Sequence, residues 1–133
     1  SKSNIKSNNY LIAAAKIYGL SREDSTLATT GLMPVLFPLT ELMPTTYAMH
    51  DLNKLFVKLN YDESKLTRML EQQRPTLIIV APSYPNGKGK QLTKAIEKTN
   101  LYNKVGTIVG NKKLYYSWKF KQPGIIYRLK DFD

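Results

Sequence analysis

Cysteine is absent from this 133-residue sequence. Its absence excludes disulfides, zinc–thiolate sites, iron–sulfur clusters and a cysteine nucleophile together. It does not select a compartment, because cytosolic and periplasmic proteins alike can do without cysteine. Histidine occurs once, as His50 beside Asp51. No nucleophile stands at a motif spacing from it, and no GxSxG elbow accompanies it. A turn or helix-cap role suits it better than catalysis. Acidic residues number only ten, scattered from Glu23-Asp24 to Asp133. They form no sequence cluster of the kind a metal site or an acid–base pair needs. The expectation is therefore no catalytic residue, no metal and no cofactor. Apolar runs are short, such as Leu77 to Pro82, whereas a membrane span takes about 20 residues. No secretion signal opens the chain.

What is present describes one compact domain. Residues that are 42% hydrophobic, 23% charged and 11% aromatic give an ordinary globular composition with enough to bury. A chain of this length hides roughly two thirds of its unfolded surface and needs no covalent staple. The polar stretch 1–9 reads as a linker ahead of a single domain at 10–133. The chain as a whole reads as a soluble domain cut from a larger protein. The net charge of +10 admits nucleic acid, anionic lipid or an acidic partner. Because the basic residues run along the whole chain, a plain solvated surface explains them as well.

The order of elements follows from periodicity and punctuation. Residues 10–18 (YLIAAAKIY) are helical, and Gly19 can end them. The run from Ser25 to Thr30 reads as a buried strand. Pro34, Pro38 and Pro44 limit residues 31–44 to a short helical turn and an apolar loop. Thr45 to Met49 reads as a second strand. Leu52, Leu55, Phe56 and Leu59 mark one face of a helix. Asp62 caps the next helix, whose Leu66, Met69 and Leu70 share a face, and Arg74-Pro75 ends it. TLIIV at 76–80 is a strand covered on both sides. Residues 81–90 read as a loop, followed by a helix on Leu92, Ala95 and Ile96 that stops near Asn100. Val105 to Val109, the alternating stretch from Leu114 to Lys121, and Ile125 to Lys130 read as strands, with turns at Gly110-Asn111 and Pro123-Gly124. In the last strand Ile125, Tyr127 and Leu129 share a side. Strands separated by helices, then consecutive strands, imply an α/β fold of three layers. Its mixed sheet has parallel core strands and an antiparallel C-terminal meander, whose terminal strands argue for an antiparallel edge.

Two constellations could carry binding. The loop containing Ser83, Tyr84, Asn86, Gly87, Lys88 and Lys90 joins an apolar strand to a helix. Free N–H groups at a helix start favour anions, and the two lysines add charge. It is neither a Walker loop nor a GxGxxG loop; it is a candidate anion or substrate site, or else a lysine-solubilised surface loop. An enzyme acting on a phosphorylated ligand would place its ligand here. The segment from Lys112 to Lys121 interleaves lysines with aromatics. Exposed, such a strand stacks single-stranded bases; with Tyr116, Trp118 and Phe120 inward it is a packed strand with a basic back.

Several segments in order resemble the soluble domain that follows the membrane helices of bacterial polyprenyl-phosphate-sugar glycosyltransferases, the family similar to dolichyl-phosphate-mannose-protein mannosyltransferases. They are Ser25 to Gly31 (STLATTG) with Pro34 and Leu36-Phe37; Met43-Pro44-Thr45-Thr46-Tyr47, like the family's Pro-Pro-Thr-Arg-Tyr with Thr46 in place of Arg; Leu66 to Pro82; and the closing Gly124-Ile-Ile-Tyr-Arg-Leu. The resemblance covers roughly residues 20–130. It implies a non-catalytic domain on the periplasmic or extracytoplasmic face of the bacterial inner membrane. There the domain would cap the active site or position an acceptor protein or glycan. The implied partners are the membrane part of the same polypeptide and anionic lipid headgroups. The positive charge is compatible with this, because long domains translocate largely regardless of charge. The alternative is a stand-alone basic module for nucleic acid or another polyanion.

Overall fold

A computed structural model describes residues 9–30, 35–81, 88–108 and 124–132. In chain order the elements are α1 (Asn9–Gly19), β1 (Leu27–Thr29), α2 (Leu36–Thr40), a 3-10 turn (Tyr47–His50), α3 (Leu52–Lys58), α4 (Glu63–Gln73), β2 (Leu77–Val80), α5 (Lys88–Lys98), β3 (Tyr102–Ile108), β4 (Gly124–Leu129) and a closing 3-10 turn (Lys130–Phe132). The strands form a four-stranded sheet in the order β1-β2-β4-β3. β1 and β2 run parallel, with Leu27 opposite Leu77, and the other pairs are antiparallel. This is the mixed α/β sheet that the pattern of apolar residues implies.

Two apolar clusters make the layers. On one face Leu27, Leu77, Ile79 and Ile126 meet Ala13, Ala14 and Ile17 of α1 and Leu36 of α2. On the other, Ala28, Ile78, Val80 and Tyr127 meet Leu52 and Phe56 of α3, Leu66 and Leu70 of α4, and Leu92, Ala95 and Ile96 of α5. All of Leu77–Val80 is buried, so successive β2 side chains enter opposite cores. That is why this strand reads as an unbroken apolar run. Ile125, Tyr127 and Leu129 share the α3–α5 side, as their spacing implies. The parallel pair starts with a reciprocal clasp. Thr26 donates its backbone N–H to Thr76 Oγ1 at 3.0 Å, and Thr76 N–H donates to Thr26 Oγ1 at 2.9 Å.

Local chemistry sets the element ends. Pro38 sits within the first turn of α2, where a missing N–H costs no intrahelical bond. Asp51 and Asp62 cap α3 and α4, their Oδ1 atoms accepting from Lys54 N–H (3.0 Å) and Lys65 N–H (3.1 Å). Arg74, at φ 47°, takes a left-handed turn that ends α4 just before Pro75. The helix cannot run through that position, because proline disfavours the α region in the residue before it.

Three expectations change. Thr45 to Met49 is not a strand. One parallel bridge joins Thr26 to Met43, and after Pro44 the chain coils into the 3-10 turn, Met49 N–H donating to Thr46 C=O at 3.0 Å. Coiling buries Met49 completely in the α3–α5 core, which an extended run beside β1 would spread along the edge. Lys88 and Lys90 belong to the first turn of α5 rather than to a loop. β4, last in sequence, lies inside the sheet, with both edges taken by β2 and β3. The expected turn at Gly110-Asn111 and strand from Leu114 to Lys121 lie outside the described residues.

Candidate functional site

The helical layer of α3, α4 and α5 carries most of the polar chemistry. On α5, Lys90, Lys94 and Lys98 are exposed and spaced four residues apart, which places them in one row. Lys98 Nζ lies 3.7 Å from Glu63 Oε2. On α3, Lys54 and Lys58 are likewise exposed and four apart. Pair spacing of this kind puts both ammonium groups over the same stretch of surface.

Beside α3 lies a cleft of about 40 Å³. Tyr47, Ala48 and His50 of the 3-10 turn line it together with Asp51, Lys54, Leu55 and Lys58. The 3-10 turn projects Tyr47, which is 79% exposed. The Tyr47 and His50 rings are 4.4 Å apart at 40°. His50 Nδ1 is hydrogen-bonded to Tyr47 C=O at 2.5 Å, and His50 C=O accepts from Thr29 Oγ1 at 2.7 Å. His50 therefore ties the turn to the end of β1, while its neighbour Asp51 caps α3. A second hollow of about 360 Å³ lies between the ends of α1 and α2. Its charged lining is mixed: Arg22, Glu23 and Glu41.

The predicted anion site is only partly in view. Ser83, Tyr84, Asn86 and Gly87 lie outside the described residues. Lys88 is half-buried, and its ammonium stands 4.3 Å from the centroid of the Tyr61 ring, a cation–π contact. Lys90 points elsewhere and begins the exposed α5 row. The two lysines thus divide between a structural contact and the solvent face. Thr30, fully buried just past β1, has a hydroxyl with no hydrogen-bond partner among the described residues.

Among the described residues, no three His, Cys, Asp or Glu side chains lie close enough to hold a metal ion. The tyrosines with displaced titration are structural. Burial pushes the Tyr102 hydroxyl well above the ordinary tyrosine range, partly opposed by the Arg74 charge, and that hydroxyl donates to Pro75 C=O at 2.7 Å. Burial also raises Tyr127, helped by the Glu97 carboxylate, to which it donates at 3.2 Å.

The opposite layer is apolar on its outside. Leu11, Ile12 and Tyr18 of α1 are 44%, 55% and 67% exposed, and Val35 and Leu39 at α2 are about 40% exposed. The one charged residue of α1, Lys16, donates its ammonium to Thr107 C=O at 2.7 Å. No helix among the described residues is long and apolar enough to cross a membrane.

The sequence pattern hides the Tyr47 cleft, because Thr45 to Met49 reads as a strand. The four-residue spacing of Lys54 and Lys58 behind His50-Asp51 was the available signal. Set against known proteins, the chain matches no family model, no curated protein and no solved structure.

Proposed function

We propose that this chain is a non-catalytic extracytoplasmic domain of a membrane-embedded lipid-linked-sugar glycosyltransferase. In this role it caps the active site or positions an acceptor. The observation that carries the reading is α1. Its inner face packs on the sheet through Ala13, Ala14 and Ile17, yet its outer face leaves Ile12 and Tyr18 mostly exposed. A helix facing only solvent spends that side on polar residues, and contiguous exposed apolar surface marks protein or membrane contact. The membrane part of the same polypeptide, with its lipid headgroups, is the occupant that suits such a face. The ordered resemblance of residues 20–130 supports the same parent.

The test is site-specific photocrosslinking in native membranes from positions 12 and 18, with position 94 as the control. The reading expects adducts to the membrane portion or to lipid from α1 only. Equal labelling from position 94, or none from α1, counts against it.

A second reading has its own observation. The row of Lys90, Lys94 and Lys98 suits a stand-alone module for nucleic acid or another polyanion. Electrophoretic binding that weakens steeply with salt favours this reading, because phosphate contacts release counterions.

A further inference from the structure

We infer that the cleft between Tyr47 and Lys58 is a binding site for an acidic carbohydrate. The ring of Tyr47 is held out in water by a structured turn rather than by a loose loop. Met49, two residues on, is fully buried, and His50 is bonded to both Tyr47 C=O and Thr29 Oγ1. His50 covers one side of the Tyr47 ring. What remains is one aromatic platform carried on an ordered turn, with Leu55 in the same lining.

Lys54 and Lys58 stand beside that platform, about 6 Å apart along α3. Asp51 is the one carboxylate in the lining, and one of its oxygens caps α3. This set selects among anions. A pyranose ring lays its C–H face on an aromatic ring, its carboxylate or sulfate meets the lysines, and its hydroxyls donate to a carboxylate. A polyphosphate gains from the lysines but brings neither an apolar ring face for Tyr47 nor hydroxyl donors for Asp51. Single-stranded nucleic acid takes successive aromatic platforms, and this cleft offers one. At about 40 Å³ the cleft is well below the roughly 300 Å³ that encloses an organic ligand. The ligand therefore lies across it, as one residue of a longer glycan does. The cleft belongs to the α3–α5 layer and α1 to the other, so both surfaces can be occupied together.

The inference rests on the proposed function only in taking the bound glycan to be an acceptor. The cleft is assayed on the 133-residue chain and the α1 contact in membranes, so either can fail alone. The experiment is a backbone-amide NMR titration with trigalacturonic acid, with maltotriose as the neutral probe and an octathymidylate strand as the nucleic-acid probe. Trigalacturonate should shift residues 47–58, and maltotriose should bind at least tenfold more weakly. Tyr47→Ala should weaken trigalacturonate binding about tenfold, as loss of an aromatic anchor does. The double change K54A/K58A should also cost roughly tenfold, since each exposed charge pair is worth up to about fivefold. K90A/K94A on α5 should change affinity less than twofold. No shifts at 47–58, equal binding of the neutral sugar, tighter binding of the oligonucleotide, or an equal loss from the α5 lysines would each overturn the inference. All the substituted side chains are exposed or half-exposed, and circular dichroism of each variant separates lost binding from lost fold.

Discussion

Replacing Ile78 or Ile79 by alanine probes the three-layer arrangement directly. The two residues are adjacent in β2, and both are fully buried. Ile78 packs against α3, α4 and α5, and Ile79 against α1 and α2. Each truncation removes several methyl or methylene groups and leaves a space that close-packed neighbours fill only in part. Isoleucine-to-alanine changes in such sites cost about 2–5 kcal/mol. The two costs should be similar, and large against a total stability of about 5–15 kcal/mol. The side chains enter separate cores, so the two losses should roughly add, although both residues hang on one stretch of backbone and a coupling of about 1 kcal/mol fits that shared strand. The double variant then sits near the unfolding threshold. Urea unfolding followed by far-ultraviolet circular dichroism measures each value, with an unchanged m-value as the check on two-state behaviour. A loss below about 1 kcal/mol at Ile79 would mean that the α1 layer does not cover the sheet. The same result at Ile78 would remove the α3–α5 layer. Either refutes the reasoning.

Other outcomes follow from single contacts. Asp62→Ala removes the cap on α4 and should cost about 1 kcal/mol in the same urea assay. Stability should fall at alkaline pH through Tyr102. Its folded pKa lies above the unfolded value, so the stabilisation is complete below about pH 10 and is lost above it, at up to about 1.4 kcal/mol per pH unit; Tyr102→Phe should reduce that slope in urea melts between pH 9 and 11, and the slope left over belongs to Tyr127, which burial raises in the same direction. Ile12→Lys and Tyr18→Lys change exposed positions and should leave stability within about 0.5 kcal/mol of the parent chain, whereas Ile12→Lys should abolish the crosslink from position 18 in membranes and Tyr18→Lys that from position 12. A loss above about 2 kcal/mol would instead make that face part of the fold.

Most of the architecture was legible because local signals and tertiary demands agree. TLIIV at 76–80 reads as a doubly covered strand, and Leu77–Val80 forms one. Asp62, Leu66 and Leu70 read as a capped amphipathic helix and form it. The position of β4 was not legible, because β4 pairs with β2 and β3 through partners distant in sequence that no local pattern encodes. Tyr47 was misjudged for a related reason. Thr45, Thr46 and Tyr47 favour strand by propensity, but burying Met49 and bonding His50 to Thr29 require a coil. The lysines of the Ser83–Lys90 segment were legible as charge and not as geometry. A sequence cannot show that Lys88 turns onto Tyr61 while Lys90 joins a row with Lys94 and Lys98. The outer face of α1 was open to view in Leu11, Ile12 and Tyr18, yet a helix rich in Ala and Leu does not announce which of its sides is left uncovered.

The most direct measurement is the sequence of the complete reading frame that encodes this chain. A domain of a membrane glycosyltransferase predicts several upstream spans of about 20 apolar residues each. A frame with no such spans would contradict the proposal and leave the lysine row of α5 and the Tyr47 cleft as the surfaces that define what this protein binds.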